Sequence, residues 1–243
     1  MNIIKNILTN NPCYKAGRTI TVKGLMLHSV GCPQPNAKVF VCNWNKDDYD
    51  MACVHAFIDG NTGDVHQTLP WNHRGWHCGS YGNNTHIGIE MCEPASIKYT
   101  GGANFVVNNE ADAKAVATRT YQSAVELFAK LCKDFNLDPL TDGVIISHSE
   151  GRARGIASNH ADPEHLWKQL GLPYTMDTFR THVKKAMILD SANNNATETE
   201  TNTQKKVLYR VQVGAFSVRQ NAVNMLDKLK KAGFDGFIFT VEQ

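Results

Sequence analysis

Residues 190–206 read DSANNNATETETNTQKK, with alanine the only apolar residue type. Such a run cannot bury a face, so it cannot belong to a packed core. It divides the chain into a large N-terminal part, residues 1–188, and a small C-terminal part, residues 207–243. A polar linker, 189–206, joins them. The full 243 residues suffice for one ordinary domain plus a small module.

Within the first part, short apolar runs alternate with a long helical pattern. Residues 23–30 (KGLMLHSV), 54–59 (VHAFID), 86–92 (HIGIEMC) and 143–148 (GVIISH) read as strands. The turn residues 59–63 (DGNTG) end the second of these. Between Asn109 and Phe135, the residues Val116, Ala124, Leu127, Phe128, Leu131 and Phe135 recur at helical spacing, with Asn109 able to cap. Further helices are expected over 164–170 and 178–189. Strands mixed with helices of this length predict an α/β domain, a mixed central sheet flanked by helices. The C-terminal part reads as strand, helix and strand, a small βαβ module, with Gly233 placed to stop the helix.

The net charge of +2 gives no argument for nucleic acid. No stretch has the roughly 18 apolar residues of a membrane span. The N-terminus does not read as a secretory signal, since Lys5 and Asn6 interrupt its isoleucines. The chain is therefore expected to be made in the cytoplasm, and to reach its site of action after release through holes made by a second protein or on cell lysis. Seven cysteines with no CxxC pair argue against a disulfide framework. Free thiols packed as small hydrophobes are expected instead.

Ten histidines stand out, several at strand ends where side chains from different elements can converge. His28 closes one strand and His148 another, and Asp162 follows in the segment 159–165 (NHADPEH). Two imidazoles and a carboxylate are a common catalytic zinc set with one position left open. Spacing alone leaves other readings open. A histidine at a strand end is often hydrogen-bonded structure, and Asp162 before Pro163 also suits a helix start.

The motifs GLMLHSVG, VHAFIDGNTGDVHQTLPW, RGWHCGS, HIGIEMCEP and IISHSEGRARGIASNHADPEHLW, in that order, resemble the type 2 N-acetylmuramoyl-L-alanine amidase family. That family includes phage endolysins and autolysins and is related to the peptidoglycan recognition proteins. The likeness covers about residues 10–187. It implies the amidase fold, Zn2+ held by His28, His148 and Asp162, and peptidoglycan as substrate. The amide between N-acetylmuramic acid and L-alanine would be cut, causing wall lysis. It implies Glu90 as the catalytic carboxylate, with Glu93 a nearby competitor outside the matching position. His160 stands where many relatives carry a lysine that stabilises the oxyanion. His55 and His77 are placed near the cleft, either as substrate contacts or as supports behind the ligands, and Trp71 and Trp76 either stack on sugar or peptide or pack in the core. His66, His73, His86, His165 and His182 are left as structural or surface residues. A non-catalytic peptidoglycan-binding protein on the same fold is the alternative.

The segment 209–239 resembles half of a SPOR-type unit, a wall-binding repeat. With strand edges left unpaired, it is expected to dimerise, giving a homodimer through residues 207–243.

Overall fold

Alternation in the strand runs decides the architecture. In the run 24–29, Leu25 and Leu27 point one way while Met26 and His28 point the other. In 86–91, Ile87, Ile89 and Met91 oppose Gly88 and Glu90. A sheet of such strands buries both faces, one under helices and one under loops that include the site. The computed structural model describes residues 1–195 and 213–233.

The strands are Ile3–Lys5 (β1), Gly24–Ser29 (β2), Ala56–Ile58 (β3), Val65–Gln67 (β4), His86–Met91 (β5), Ile97–Gly101 (β6), Asn104–Val107 (β7) and Ile145–Ser147 (β8). The α-helices are Pro12–Lys15 (α1), Ala37–Trp44 (α2), Glu110–Asp134 (α3), His148–Ala153 (α4), Glu164–Gln169 (α5), Met176–Asn195 (α6) and Arg219–Lys231 (α7). Six strands form one sheet in the order β1-β4-β3-β5-β2-β8. Only β3 and β4 pair antiparallel; the other neighbours are parallel. A separate hairpin pairs β6 with β7.

Leu25, Leu27, Ile87, Ile89 and Ile145 pack beneath Ala124, Leu127, Phe128 and Leu131 of α3 and Phe179 and Val183 of α6. This apolar layer makes the sheet rigid on the side away from the site. On the opposite side, Met26 and Ile146 pack with Cys78, and Phe57 packs against α2 through Phe40 and Trp44. The register places His28 beside Glu90 and Leu27 beside Ser147. The carboxyl ends of β2, β5 and β8 therefore meet at one rim, the usual ligand position in open α/β sheets.

Several expectations shift by a few residues for local reasons. The long helix keeps its predicted cap, Asn109 accepting the Asp112 N–H at 3.1 Å. His148 is not the end of a strand but the first residue of α4. Ser147 caps that helix and Glu150 reaches back to the Ser147 N–H, a complete capping box. Helix α6 runs to Asn195, into the segment read as linker. Beyond the expected elements are the short strands β1 and β4, helices α1, α2 and α4, and the β6–β7 hairpin.

The chain forms two units, Met1–Glu198 and Thr199–Gln243. In the second, α7 forms as expected and Gly233 follows with φ 85°, the left-handed conformation that closes a helix. Residues 213–216 are not strand. The rest of the first expected strand and all of the second lie outside the described residues. The homodimer expected through them therefore has no support among the described residues. No helix of the described residues is long and apolar enough to cross a membrane.

Phe128 is fully buried between the sheet and Phe179, whose ring it meets edge-on at 5.1 Å. Phe128→Ala should cost about 3–5 kcal/mol in urea unfolding of the full chain, because the site's sheet rests on this contact. A loss under about 1 kcal/mol would show that α3 is not a principal support.

Candidate metal centre and catalytic cleft

The site begins with a hydrogen-bond chain under β5. The carbonyl oxygen of His86 can only accept, so His77 Nε2, 3.0 Å away, carries the proton and donates. Burial, then the neighbouring His28 and His55, pushes His77 well below the usual imidazole range, so the ring is neutral. Its Nδ1 is then an acceptor for the hydrogen bond that His28 Nε2–H donates at 3.0 Å. By this chain His28 is left with its Nδ1 lone pair facing the rim.

Three groups converge there. His28 Nδ1 lies 3.0 Å from His148 Nδ1 and 3.3 Å from Asp162 Oδ2, and His148 Nδ1 lies 3.6 Å from Asp162 Oδ1. All three residues are buried, and one ligand atom from each falls within 4.8 Å of the others. Donors about 2.0–2.1 Å from a tetrahedral zinc lie about 3.3 Å apart, so these separations fit the ion. Two imidazole lone pairs at 3.0 Å also repel unless a cation or proton stands between them. Charge agrees with geometry. Burial opposes protonation of His28, yet its hydrogen bond to the Asp162 carboxylate and the charges of Glu90 and Asp162 raise it overall. His148 is lowered to about 4 by burial and by His28. For Asp162, burial acts upward but is outweighed by the hydrogen bond and charge of His28, so the carboxyl is lowered. This is a pocket that favours positive charge at His28, whether a proton or a metal ion, beside the neutral imidazole of His148 and the ionised carboxylate of Asp162.

Support continues outward. His148 Nε2 faces Ser158 Oγ at 3.1 Å and His160 Nδ1 at 3.2 Å, and Ser158 Oγ is also 3.1 Å from His160 Nδ1. The Ser147 cap that orients His148 also donates to Glu164 of α5 at 2.8 Å. Such outer contacts orient ligands and set their tautomers.

A cleft of about 670 Å³ opens over the rim, lined among others by His77, Glu90, His148, His160 and Asp162. Glu90 projects from β5 opposite His28 in the sheet register. Burial, together with Asp162 and Glu93, pushes its carboxyl up to about 8 against the pull of His28, and its Oε2 is buried with no hydrogen-bond partner. A carboxyl like this takes and releases a proton near neutrality. His160 stands exposed at the edge, its Nδ1 turned inward to Ser158 and His148.

The structure thus gathers His28, His148, Asp162, Glu90, His160 and His77. Two substrate expectations are corrected. His55 is fully buried, with Nε2 donating to the His73 carbonyl and Nδ1 accepting the Gly88 N–H, so it ties β5 to its neighbours and offers nothing to a ligand. Trp76 is 45 % exposed against the Arg74 guanidinium, and it does not line the cleft. Glu93 is fully buried, accepting the Gly31 N–H and the Tyr99 hydroxyl, and holds the wall rather than facing the reaction.

Tyr99 and His165 of the cleft wall, and Ser158 behind His148 and His160, escaped the sequence. Tyr99 of β6 bridges Glu93 at 2.7 Å and His165 at 2.8 Å, and Gly102 and Ala103 of the hairpin line the cleft beside it. No local pattern marks Tyr99 or His165, because only the hairpin's return brings them together. Ser158 belongs to the same class.

The profile of the N-acetylmuramoyl-L-alanine amidase family matches residues 18–165, more than half of the chain, and spans His28, Glu90, His148 and Asp162. The chain belongs to that amidase family. A SPOR domain profile matches residues 186–240, a wider span than the expected module. No curated protein matches the chain in sequence. Among solved structures, the hydrolase AmiA of Staphylococcus aureus is similar over 79 % of this chain and 86 % of its own, at 18 % identity and a TM-score of 0.59. The catalytic domain of XlyA is similar over 75 % and 99 %, at 21 % identity and 0.52. A mutant endolysin from Bacillus subtilis is similar over 75 % and 99 %, at 20 % identity and 0.51. At these identities the likeness is one of fold, and it agrees with the mixed sheet and flanking helices seen in this amidase.

Gly88 lies directly under the His77 ring, where a Cβ would overlap the imidazole. Gly88→Ala should displace His77, free His28 Nε2 and weaken metal binding about 10–100-fold with all three ligands intact. Competition with a chelator measures this. Unchanged affinity in a folded Gly88→Ala protein would show that the His77 chain does not govern the ligand.

Proposed function

We propose that this amidase is zinc-dependent and hydrolyses the amide between N-acetylmuramic acid and L-alanine in peptidoglycan, lysing the wall. The observation that carries the reading is one juxtaposition. A donor triangle suited to zinc stands beside the half-buried carboxyl of Glu90, one oxygen of which is buried and unpartnered, at the floor of an open cleft. Family membership supplies the substrate class.

His28, His148 and Asp162 would hold the metal. A bound zinc supplies Lewis acidity, lowering the pKa of water and drawing electrons from the scissile carbonyl. Glu90 takes a proton from the attacking water and passes it to the nitrogen of L-alanine as the C–N bond breaks. The products are a free lactyl carboxylate on the sugar and a free amine on the peptide. His160, with Nδ1 committed to Ser158 and His148, uses Nε2 to donate to the oxyanion of the tetrahedral intermediate. His77 keeps His28 in the ligating tautomer. The SPOR domain holds the enzyme on glycan, and the enzyme reaches the wall after release from the cell that makes it.

Digestion of purified peptidoglycan with mass spectrometry of the products tests the reaction, and metal analysis tests the site. About one zinc per chain is expected, lost with activity in His28→Ala. Glu90→Gln should keep the zinc and lose roughly a hundredfold or more in turnover. His160→Ala should also keep zinc, lose activity by about 3–4 kcal/mol of transition-state stabilisation, and regain part of it as His160→Lys. Intact muropeptide bound but uncut by the zinc-loaded protein would favour the recognition-protein alternative. Near-normal turnover in Glu90→Gln would move the proton transfer elsewhere.

A further inference from the structure

Away from the cleft, the N-terminal segment meets the stretch entering β3 through two cysteines that the amidase chemistry does not use. Asn11, only 1 % exposed, bridges their backbones. Its Oδ1 accepts the Cys13 N–H at 2.8 Å, and its Nδ2 donates at 3.4 Å to the carbonyl of Ala52, the residue before Cys53. Cys53 is fastened to Trp76 by reciprocal backbone bonds of 2.9 and 2.8 Å. Cys13 Sγ donates to the carbonyl of Arg74, two residues before that clamp, at 3.2 Å. Both cysteines belong to one small apolar cluster with Leu8, Leu69 and Trp44. Both are therefore tied to the strip 74–76 and to each other through Asn11.

The two thiols have opposite chemistry. Cys53 is buried, whereas Cys13 is partly exposed. The hydrogen bond from Cys53, aided by Arg18 and Arg74 and opposed by burial, draws Cys13 down to about 7. That same hydrogen bond and burial push Cys53 far up. A reachable thiol that ionises near neutrality beside a protonated, buried partner is the arrangement of an attacking and a resolving thiol. Other thiols lack it: burial pushes the half-buried Cys32 up to about 11 and the buried Cys132 up to about 12, and it raises the buried Cys78 and Cys92 as well.

We propose that Cys13 and Cys53 are a redox pair that closes to a disulfide by exchange with a low-molecular-weight disulfide. The Cys13 thiolate attacks one sulfur of that disulfide, whose S–S bond breaks and expels a thiolate. Cys53 gives its proton to the expelled thiolate. Its sulfur then attacks the Cys13 sulfur of the mixed disulfide and expels the second thiolate, which is protonated by solvent. The protein loses two electrons, and the external disulfide is reduced to two thiols. The new bond closes a loop of about forty residues, 13–53, which restricts the unfolded chain and raises the melting temperature. An enzyme that moves from a reducing to an oxidising compartment gains stability by this route on arrival.

The test is incubation of the full chain with oxidised glutathione near neutral pH, alkylation of remaining thiols, and peptide mapping by mass spectrometry. The expected product is a peptide pair linked Cys13 to Cys53, absent in Cys13→Ser. A melting temperature above that of the reduced protein should accompany it and fall back on adding dithiothreitol. Two results overturn the proposal. One is Cys13 retained as a glutathione adduct while Cys53 alkylates on unfolding. The other is both thiols unreacted while the exposed Cys42 is modified.

Discussion

Everything at the rim depends on the hydrogen-bond chain that runs from the His86 carbonyl through His77 to His28. A histidine becomes a metal ligand only when one ring nitrogen is free of its proton and correctly aimed. Here a backbone carbonyl, which can only accept, fixes the direction of both bonds. Burial keeps His77 neutral, so the chain cannot invert by taking up a second proton. The small residue at 88 is part of the same device, since only a glycine leaves room for the ring on the strand.

The sheet supplies what this chain cannot. Parallel pairing of β2 with β5 and β8 brings three carboxyl ends to one rim, and alternation along each strand turns His28 and Glu90 to the same face. The capping box then turns the backbone so that His148, the first residue of α4, meets His28 across the rim. Core packing on the far face holds these positions. The polar side is left with a carboxyl whose proton affinity is raised by burial, and this sets Glu90 apart from Asp162. Both are largely buried, but Asp162 is stabilised as an anion by His28 whereas Glu90 has an oxygen with no partner.

Much of this was legible in the sequence, for identifiable reasons. Strand ends carrying His28 and Glu90 follow from two-residue alternation, and α3 with its Asn109 cap follows from helical spacing. The metal set came from family motifs rather than from spacing, which left structural readings open. The Ser-x-x-Glu pattern at 147–150 marks a helix start, but the apolar run before it invited reading His148 as strand. His55 and Trp76 sit in motif segments close to the cleft in sequence, yet one is spent on backbone bonds and the other faces solvent beside Arg74. Tyr99 and His165 were not legible at all. They meet through the return of a hairpin whose strands carry little apolar alternation, and their contact exists only in three dimensions.

The proposed function requires His28, His148 and Asp162 as the metal's protein shell. X-ray absorption at the zinc edge of the metal-loaded full chain tests it most directly. The expected shell is nitrogen and oxygen alone at about 2.0–2.2 Å, with the multiple-scattering signature of two imidazoles. Scattering from sulfur at about 2.3 Å, or from no imidazole, would contradict it.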